Sequence, residues 1–285
     1  MIKAILLILI IIILFFVIVM VADCHRFVIK EYTCISPKLQ KDGNFVLLSD
    51  LHNTCFGKDN DRLFHAIEKI NPDAILIAGD MYTAAKEDHM RTADFVCRLA
   101  QHYPVYYGNG NHEQKTRVYP GVFGTMYEEY MTRIKAAGVN VLVNERVNLP
   151  PYRMDICGLE IGREYYGKFV TPDMDKAYID GLIGRASEDR FSLLIAHNPD
   201  YFEAYADWGA DLVVSGHVHG GLMVLPVLGG VISPKLCLFP KYDGGEFKTG
   251  NSTMILGRGL GTHTLPIRIF NPGELVVLHL RRKDG

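Results

Sequence analysis

The 285-residue chain has no excess of charge of either sign: 30 Lys and Arg stand against 32 Asp and Glu, a formal net charge of −2. Lys and Arg are scattered, so there is no basic stripe of the kind that drives nucleic-acid binding, and no nucleic-acid partner is expected. Six cysteines are present, Cys24, Cys34, Cys55, Cys97, Cys157 and Cys237, and no two form a CxxC pair. Zinc-finger and thioredoxin-like chemistry therefore has no support. Cys97 in FVCRLA and Cys237 in KLCLFP lie in apolar segments and read as buried free thiols. Repeats, low-complexity tracts and Pro/Gly/Ser-rich linkers are missing as well. What remains is 48% hydrophobic and 22% charged, a composition that fills a sizeable core without a disulfide framework.

One stretch departs from that composition. AILLILIIIILFFVIVMVA, Ala4 to Ala22, is 19 uninterrupted apolar residues. As a helix it would be about 28 Å long, close to the hydrocarbon thickness of a bilayer. The apolar region of a cleaved signal is typically about 7–15 residues, followed by an A-x-A-like site. VADCHR offers none, and Asp23 stands where a lipoprotein signal needs a small residue before Cys24. The sequence predicts an uncleaved anchor over residues 1–23, a juxtamembrane segment with a first strand over 24–43, and one domain over 44–285. The chain would thus be single-pass in the cell membrane. Lys3 on one side and Arg26 and Lys30 on the other leave open on which side the domain lies.

Beyond the anchor the pattern alternates. RFVIKEYTCI (Arg26 to Ile35) reads as a strand leading off the membrane. NFVLLSD, DAILIAGD, PVYYGNGNH, FSLLIAH and DLVVSGH are short, nearly continuous apolar runs, as in strands buried on both faces. Helical stretches fall around Asp61 to Ile70, Glu87 to Gln101, Met126 to Ala137 and Ala177 to Arg185. The alternation predicts an α/β architecture with a largely parallel sheet. From Gly220 onward come a hairpin-turn signal, YDGGEF, and further strands in STMILGRGLG and ELVVLHL, which suggest a second, more antiparallel sheet.

Each of the five apolar runs ends in residues that bind metals or handle protons: Asp50-Leu51-His52, Gly79-Asp80, Gly110-Asn111-His112-Glu113, His197-Asn198 and Gly216-His217-Val218-His219. Singly, Asp80 is more often a turn residue than a ligand, and an isolated His112 or His197 more often a hydrogen-bonded side chain. Together they would require five unrelated accidents. Ligands bind at the carboxyl ends of parallel strands, so these tips would meet at one rim of the sheet. In D-x-H and H-x-H, alternate residues of an extended segment would point to the same side. Carboxylate, amide and imidazole donors suit divalent Mn, Fe or Zn, and the absence of Cys argues against a structural zinc site. The set is too large for one ion that leaves room for substrate, and suits two.

These motifs, D-x-H, G-D, G-N-H-[DE], H and G-H-x-H in that order, resemble those of the calcineurin-like metallophosphoesterases, in particular the membrane-associated bacterial branch, over roughly Asn44 to Leu280. The resemblance implies an αββα fold, two mixed β-sheets packed as a sandwich flanked by helices, here preceded by one transmembrane helix. It implies that Asp50, His52 and His219 hold one metal, that Asn111, His197 and His217 hold the other, and that Asp80 bridges them. His112 would be the catalytic histidine beside the substrate. In such a pair a bridging hydroxide attacks phosphorus in line, while a general acid protonates the leaving oxygen. Gly216, Gly220 and Gly221 would then clear room beside the metals. Glu113 stands where Asp is commoner in the family, which puts the group backing His112 one methylene further away. The family's larger inserted caps are missing, leaving substrate selection to short loops.

Two arginines are candidates for holding substrate phosphate: Arg258 in GRGLGTH, a segment resembling one near the active-site rim in the membrane-associated branch, and Arg163 beside Tyr165 and Tyr166 in GREYYG. The stretch Leu222 to Pro240 is unusually apolar for a loop region and reads as strand plus core, with a membrane-facing lip at Val227 and Val231 as the alternative. The partner expected is therefore a phosphate ester, and a lipid-linked one stays open. Three functions compete: a membrane-anchored dinuclear phosphoesterase, a pyrophosphohydrolase of a nucleotide-linked lipid such as UDP-diacylglucosamine, and a catalytically silent metal-binding scaffold. The complete ligand set favours catalysis. Oligomeric state has no signature in the sequence.

Overall fold

The computed structural model describes residues 1–285 except 86–87, 168–171, 222, 226–228, 232–237, 263–265 and 284–285. In chain order, helix α1 (Ile2–Cys24) leads into strands β1 (Phe27–Ser36) and β2 (Gly43–Leu48), then α2 (Asp61–Ile70), β3 (Ala74–Ala78), α3 (His89–Ala100) and β4 (Val105–Gly108). Next come α4 (Asn111–Val118), α5 (Pro120–Phe123), α6 (Met126–Ala136), β5 (Asn140–Leu142), β6 (Glu145–Leu149) and β7 (Met154–Leu159). The remainder comprises α7 (Lys176–Ile183), β8 (Phe191–Ala196), α8 (Phe202–Trp208), β9 (Leu212–Ser215), β10 (Val224–Leu225), β11 (Gly229–Gly230), β12 (Gly245–Thr249), β13 (Ser252–Leu256) and β14 (Gly273–Arg282).

Alternate side chains of the same strands face opposite apolar layers, which is why the runs read as continuously hydrophobic. Val46, Leu48, Ile75 and Ile77 pack beneath Leu63, Phe64, Ile67, Val96 and Ile134 of α2, α3 and α6. Their neighbours Phe45, Leu47 and Leu76 face Ile156, Leu193, Ile195 and Val214 in a layer between two sheets. A third layer sets Leu194 and Val213 against Ile179, Phe202, Tyr205 and Trp208 of α7 and α8. Helices therefore cover both outer faces of a two-sheet sandwich, the architecture that the family resemblance implies.

The first sheet has the order β1-β14-β2-β3-β4-β5 and the second β12-β13-β9-β8-β7-β6. In the first, the β14–β2 pair alone is antiparallel. In the second, β12–β13 and β6–β7 are antiparallel and the three inner pairs parallel. The motif-bearing strands do not share one sheet as the sequence reading placed them. β2, β3 and β4 lie in the first sheet, β8 and β9 in the second, so the site forms where the carboxyl ends of two sheets meet. Inner-layer and outer-layer residues look alike in one dimension, so sequence alone does not divide the strands.

Helix boundaries for α2, α3, α6 and α7 fall within a few residues of those expected, but α4, α5 and α8 were not read from sequence. NHEQKTRV has no apolar stripe, and FEAYADW is too short to show a period. YDGGEF proves to be the entry into β12 rather than a hairpin turn, since Thr249 pairs with Ser252 across the real turn at Gly250. Within Leu222–Pro240, residues 222, 226–228 and 232–237, with Val227 and Cys237 among them, lie outside the described residues. The described part is a half-buried two-strand ribbon, β10–β11, followed by Leu238 and Phe239, which are exposed: strand, but not core. The five other cysteines are free thiols. Helix α1, 23 residues, is long and apolar enough for a membrane span or a signal sequence.

Candidate metal centre

The turns after β2, β3, β4, β8 and β9 deliver the predicted residues to one place. Asp50 Oδ1 lies 4.0 Å from His52 Nε2, 3.6 Å from His219 Nε2 and 3.9 Å from His197 Nε2. Asp80 Oδ2 lies 3.8 Å from His52 Nε2 and 3.2 Å from His197 Nε2, between the two halves of the cluster. Asn111 Oδ1 is 3.2 Å from His197 Nε2. Ligand atoms of Asp50, His52 and His219 lie within 4.8 Å of one another, as do those of Asp80, His197 and His217. His217 turns the edge of its ring to His197, with centroids 5.2 Å apart.

The paired residues of D-x-H and H-x-H converge for a reason other than the one expected. They are not on extended backbone: Asp50, His52, Asp80, His217 and His219 all have φ between 47° and 76°. Left-handed backbone is strained for these residue types and persists only where surrounding contacts enforce it. The contacts are present. The His217 N–H donates to both Asp50 oxygens (3.0 and 3.1 Å), and the His112 N–H donates to Asp80 Oδ1 (2.8 Å). Gly216 and Gly110 are obligatory for close approach, since a Cβ on either would overlap the carboxylate of Asp50 or Asp80.

Hydrogen bonds on the far side of each ring set which nitrogen faces the cluster. His197 Nδ1–H donates to the Ala78 carbonyl (2.6 Å) and His219 Nδ1–H to the Gly261 carbonyl (3.3 Å). Both rings therefore turn Nε2 toward the cluster. His52 Nδ1 pairs with Thr83 Oγ1 (3.2 Å), and its Nε2 faces that of His219 at 3.1 Å. Two imidazole nitrogens this close, 3.6 and 4.0 Å from Asp50 Oδ1, are spaced to share one cation, so the donor set fits divalent metal. His112 is different. Its Nδ1 accepts the Ala84 N–H (2.9 Å), so the neutral ring carries its proton on Nε2. By position alone His112 also groups with His52 and Asp80, but a protonated Nε2 is a donor rather than a ligand.

The carboxyls of the cluster are shifted by their surroundings. Burial lifts the Asp50 carboxyl to about 6, against the pull of His197. Burial also works against ionisation of Asp80, yet His197, His112 and His52 around it hold its carboxyl well below the usual range. Glu113, whose carboxyl burial and the charge of Asp80 raise to about 7, plays a part not foreseen. Instead of backing His112, it accepts the N–H groups of Asp80, Met81 and Gly110 (2.9, 2.9 and 3.0 Å) and the Tyr107 hydroxyl (2.7 Å). The extra methylene is what lets it reach across from α4 to the β3 turn.

At the rim, Arg163 Nη1 lies 3.5 Å from the Asn111 carbonyl and Tyr166 packs edge-on to His217 with centroids 5.3 Å apart. Arg258 runs alongside Gly220, next to His219, with its Nε 3.9 Å from Glu274 Oε1. Asn271 and Arg268, which hold the loop behind His219, carry no motif and were not read from sequence. The glycines of GRGLG were the available signal: a Cβ on Gly259 would crowd Asp50 and one on Gly261 would overlap the Leu51 carbonyl.

A family model described as calcineurin-like phosphoesterase matches residues 43–221. Among curated proteins, the chain is 27% identical over 254 residues to an uncharacterized metallophosphoesterase of Campylobacter jejuni, covering 87% of this chain and 61% of that one. It is 28% identical over 241 residues to the uncharacterized metallophosphoesterase YkuE of Bacillus subtilis, 83% of this chain and 78% of the relative. To the phosphodiesterase YaeI of Escherichia coli it is 26% identical over 224 residues, 76% of this chain and 74% of the relative. The chain thus spans less than two thirds of the Campylobacter protein's length.

Proposed function

Because the chain belongs to the calcineurin-like phosphoesterase family and is on that ground a metal-dependent phosphoester hydrolase, we propose that it is a membrane-anchored enzyme in which Asp50, His52, Asp80, Asn111, His197, His217 and His219 hold two divalent ions. Asp50, His52 and His219 form one half and Asn111, His197 and His217 the other, with Asp80 shared. Mn, Fe or Zn suits these donors. Bound there, the ions would supply activated water and a positive clamp for the phosphoryl oxygens. His112 holds the proton for the leaving oxygen on Nε2, and the Ala84 N–H keeps it there. Arg163 and Arg258 bind substrate phosphate from the rim. Residues 1–23 anchor the chain, residues 24–43 lead from the membrane, and residues 44–285 form the catalytic domain.

The single observation that carries this reading is the opposite hydrogen bonding of His197 and His112: Nδ1 of the first donates to the Ala78 carbonyl and leaves Nε2 facing the carboxylates, whereas Nδ1 of the second accepts the Ala84 N–H and leaves the neutral ring's proton on Nε2. A silent scaffold has no need of the second. The exposed Leu238 and Phe239, in the segment after β11 where the Phe239 N–H donates to the Val231 carbonyl, favour a lipid-linked phosphoester or pyrophosphate as the substrate class. The test is hydrolysis of bis-p-nitrophenyl phosphate and p-nitrophenyl phosphate by the metal-stripped full chain in detergent, with Mn, Fe, Zn and Mg added in turn. Metal-dependent turnover that disappears in Asp80→Ala supports the proposal. Turnover that is indifferent to metal, or unchanged in Asp80→Ala, contradicts it.

A further inference from the structure

The end of α1 is joined to the candidate metal centre by a continuous set of buried polar contacts. Asp23, 1% exposed at the last turn of the apolar helix, accepts the Asn271 N–H on Oδ2 (2.9 Å) and Arg26 Nε on Oδ1 (2.8 Å). Asn271 is fully buried, and its side-chain amide donates to the carbonyls of His219 (2.7 Å) and Gly221 (2.8 Å). Those two carbonyls bracket the turn in which His219, Gly220 and Gly221 all have positive φ (53°, 68° and 83°). Left-handed backbone at a histidine needs external clamping, and the Asn271 amide provides it.

A second branch reaches the ring of His219. Arg268, 2% exposed, donates to the Gly261 carbonyl through Nε (3.1 Å) and Nη2 (2.5 Å), and to the Asn271 carbonyl through Nη1 (3.1 Å). The Gly261 carbonyl is the one that fixes the His219 ring. Next to Asn271, Phe270 adopts φ 54° and packs its ring against Phe15 and Phe16 of α1, with centroids 6.3 and 6.1 Å away. The loop that holds His219 is therefore seated on the apolar helix by an aromatic contact and by a charge-assisted hydrogen bond.

We infer that Asn271 is a positioning residue for His219 and that Asp23 holds Asn271, so that the seating of the apolar helix on the domain sets metal affinity in the His219 half of the centre. This rests on the reading of His219 as a metal ligand. Partners that orient ligands in this way typically account for about 10–100-fold in metal affinity.

The experiment is titration of the metal-free full chain in detergent with Mn²⁺, following free Mn²⁺ by electron paramagnetic resonance, in wild type, Asn271→Ala, Asp23→Ala and His219→Ala. Asp23 lies in none of the three apolar layers, so Asp23→Ala keeps the test informative if Asn271→Ala does not fold. The expected result is a loss of about 10–100-fold for one ion in Asn271→Ala, a smaller loss for that same ion in Asp23→Ala, and an unchanged second ion. Unaltered affinities in both variants, with one ion lost in His219→Ala, would overturn the inference and leave the metal centre standing. Equal weakening of both ions with a lower unfolding temperature of the metal-free protein would also overturn it, as general structural damage. If His219→Ala alters neither ion, the ligand assignment fails and the inference with it.

Discussion

His197 donates from Nδ1 to the Ala78 carbonyl, whereas His112 accepts at Nδ1 from the Ala84 N–H. The two rings are thereby turned in opposite senses, as the proposed ligand and acid roles require. His112→Asn is expected to lower kcat by about 10²–10⁴-fold with both ions retained, measurable by single-turnover hydrolysis. A second expectation concerns protons. Burial would depress the His197 ring, but Asp80 and then Asp50 hold it up at about 10, against an ordinary 6.5. In the metal-free chain this contributes stability that is complete below about pH 6.5 and lost as pH rises through about 10. An incoming ion displaces that proton, so Mn²⁺ affinity is expected to rise between pH 7 and 9, with roughly one proton released per chain. Calorimetry in buffers of different ionisation enthalpy would show it, and a pH-independent affinity would refute it. That the motif residues would gather in one cluster was legible from the sequence. The direction each ring faces was not, because the Ala78 and Gly261 carbonyls arrive from remote segments.

Among the elements, α4 matters most and was least legible. NHEQKTRV has no apolar stripe, so the helix depends on its N-terminus: Glu113 reaches back to the Gly110 N–H and on to the Asp80 and Met81 N–H groups. One side chain therefore caps the helix carrying Asn111 and His112 and fixes the turn carrying Asp80. Glu113→Ala leaves three N–H groups without their acceptor, and metal affinity is expected to fall about 10–100-fold, readable by equilibrium dialysis. Gly110→Ala is expected to abolish metal-dependent turnover outright, because its Cβ would overlap the Asp80 carboxylate and the neighbouring backbone cannot yield. Retained turnover in that variant would mean that the turn is looser than described. Strands, by contrast, announced themselves, since burial on both faces forces near-continuous Val, Ile and Leu.

For the whole molecule, the two sheets pack across the layer that includes Leu47, Leu76, Ile156 and Val214, and bring the carboxyl ends of five strands together. The split of those strands between two sheets was hidden, as both inner and outer faces are apolar. Helix α1 is nearly all exposed apart from its last turns. As an anchor it should keep the chain in the membrane fraction through alkaline carbonate washing, and release into the supernatant would contradict the anchor. The central claim, a two-ion centre beside a histidine that is not a ligand, is tested most directly by elemental analysis of bound metal per chain. Wild type and His112→Ala are predicted to bind two ions each, and Asp80→Ala fewer. A wild type with one ion or none, or a His112→Ala variant that loses an ion, would contradict it.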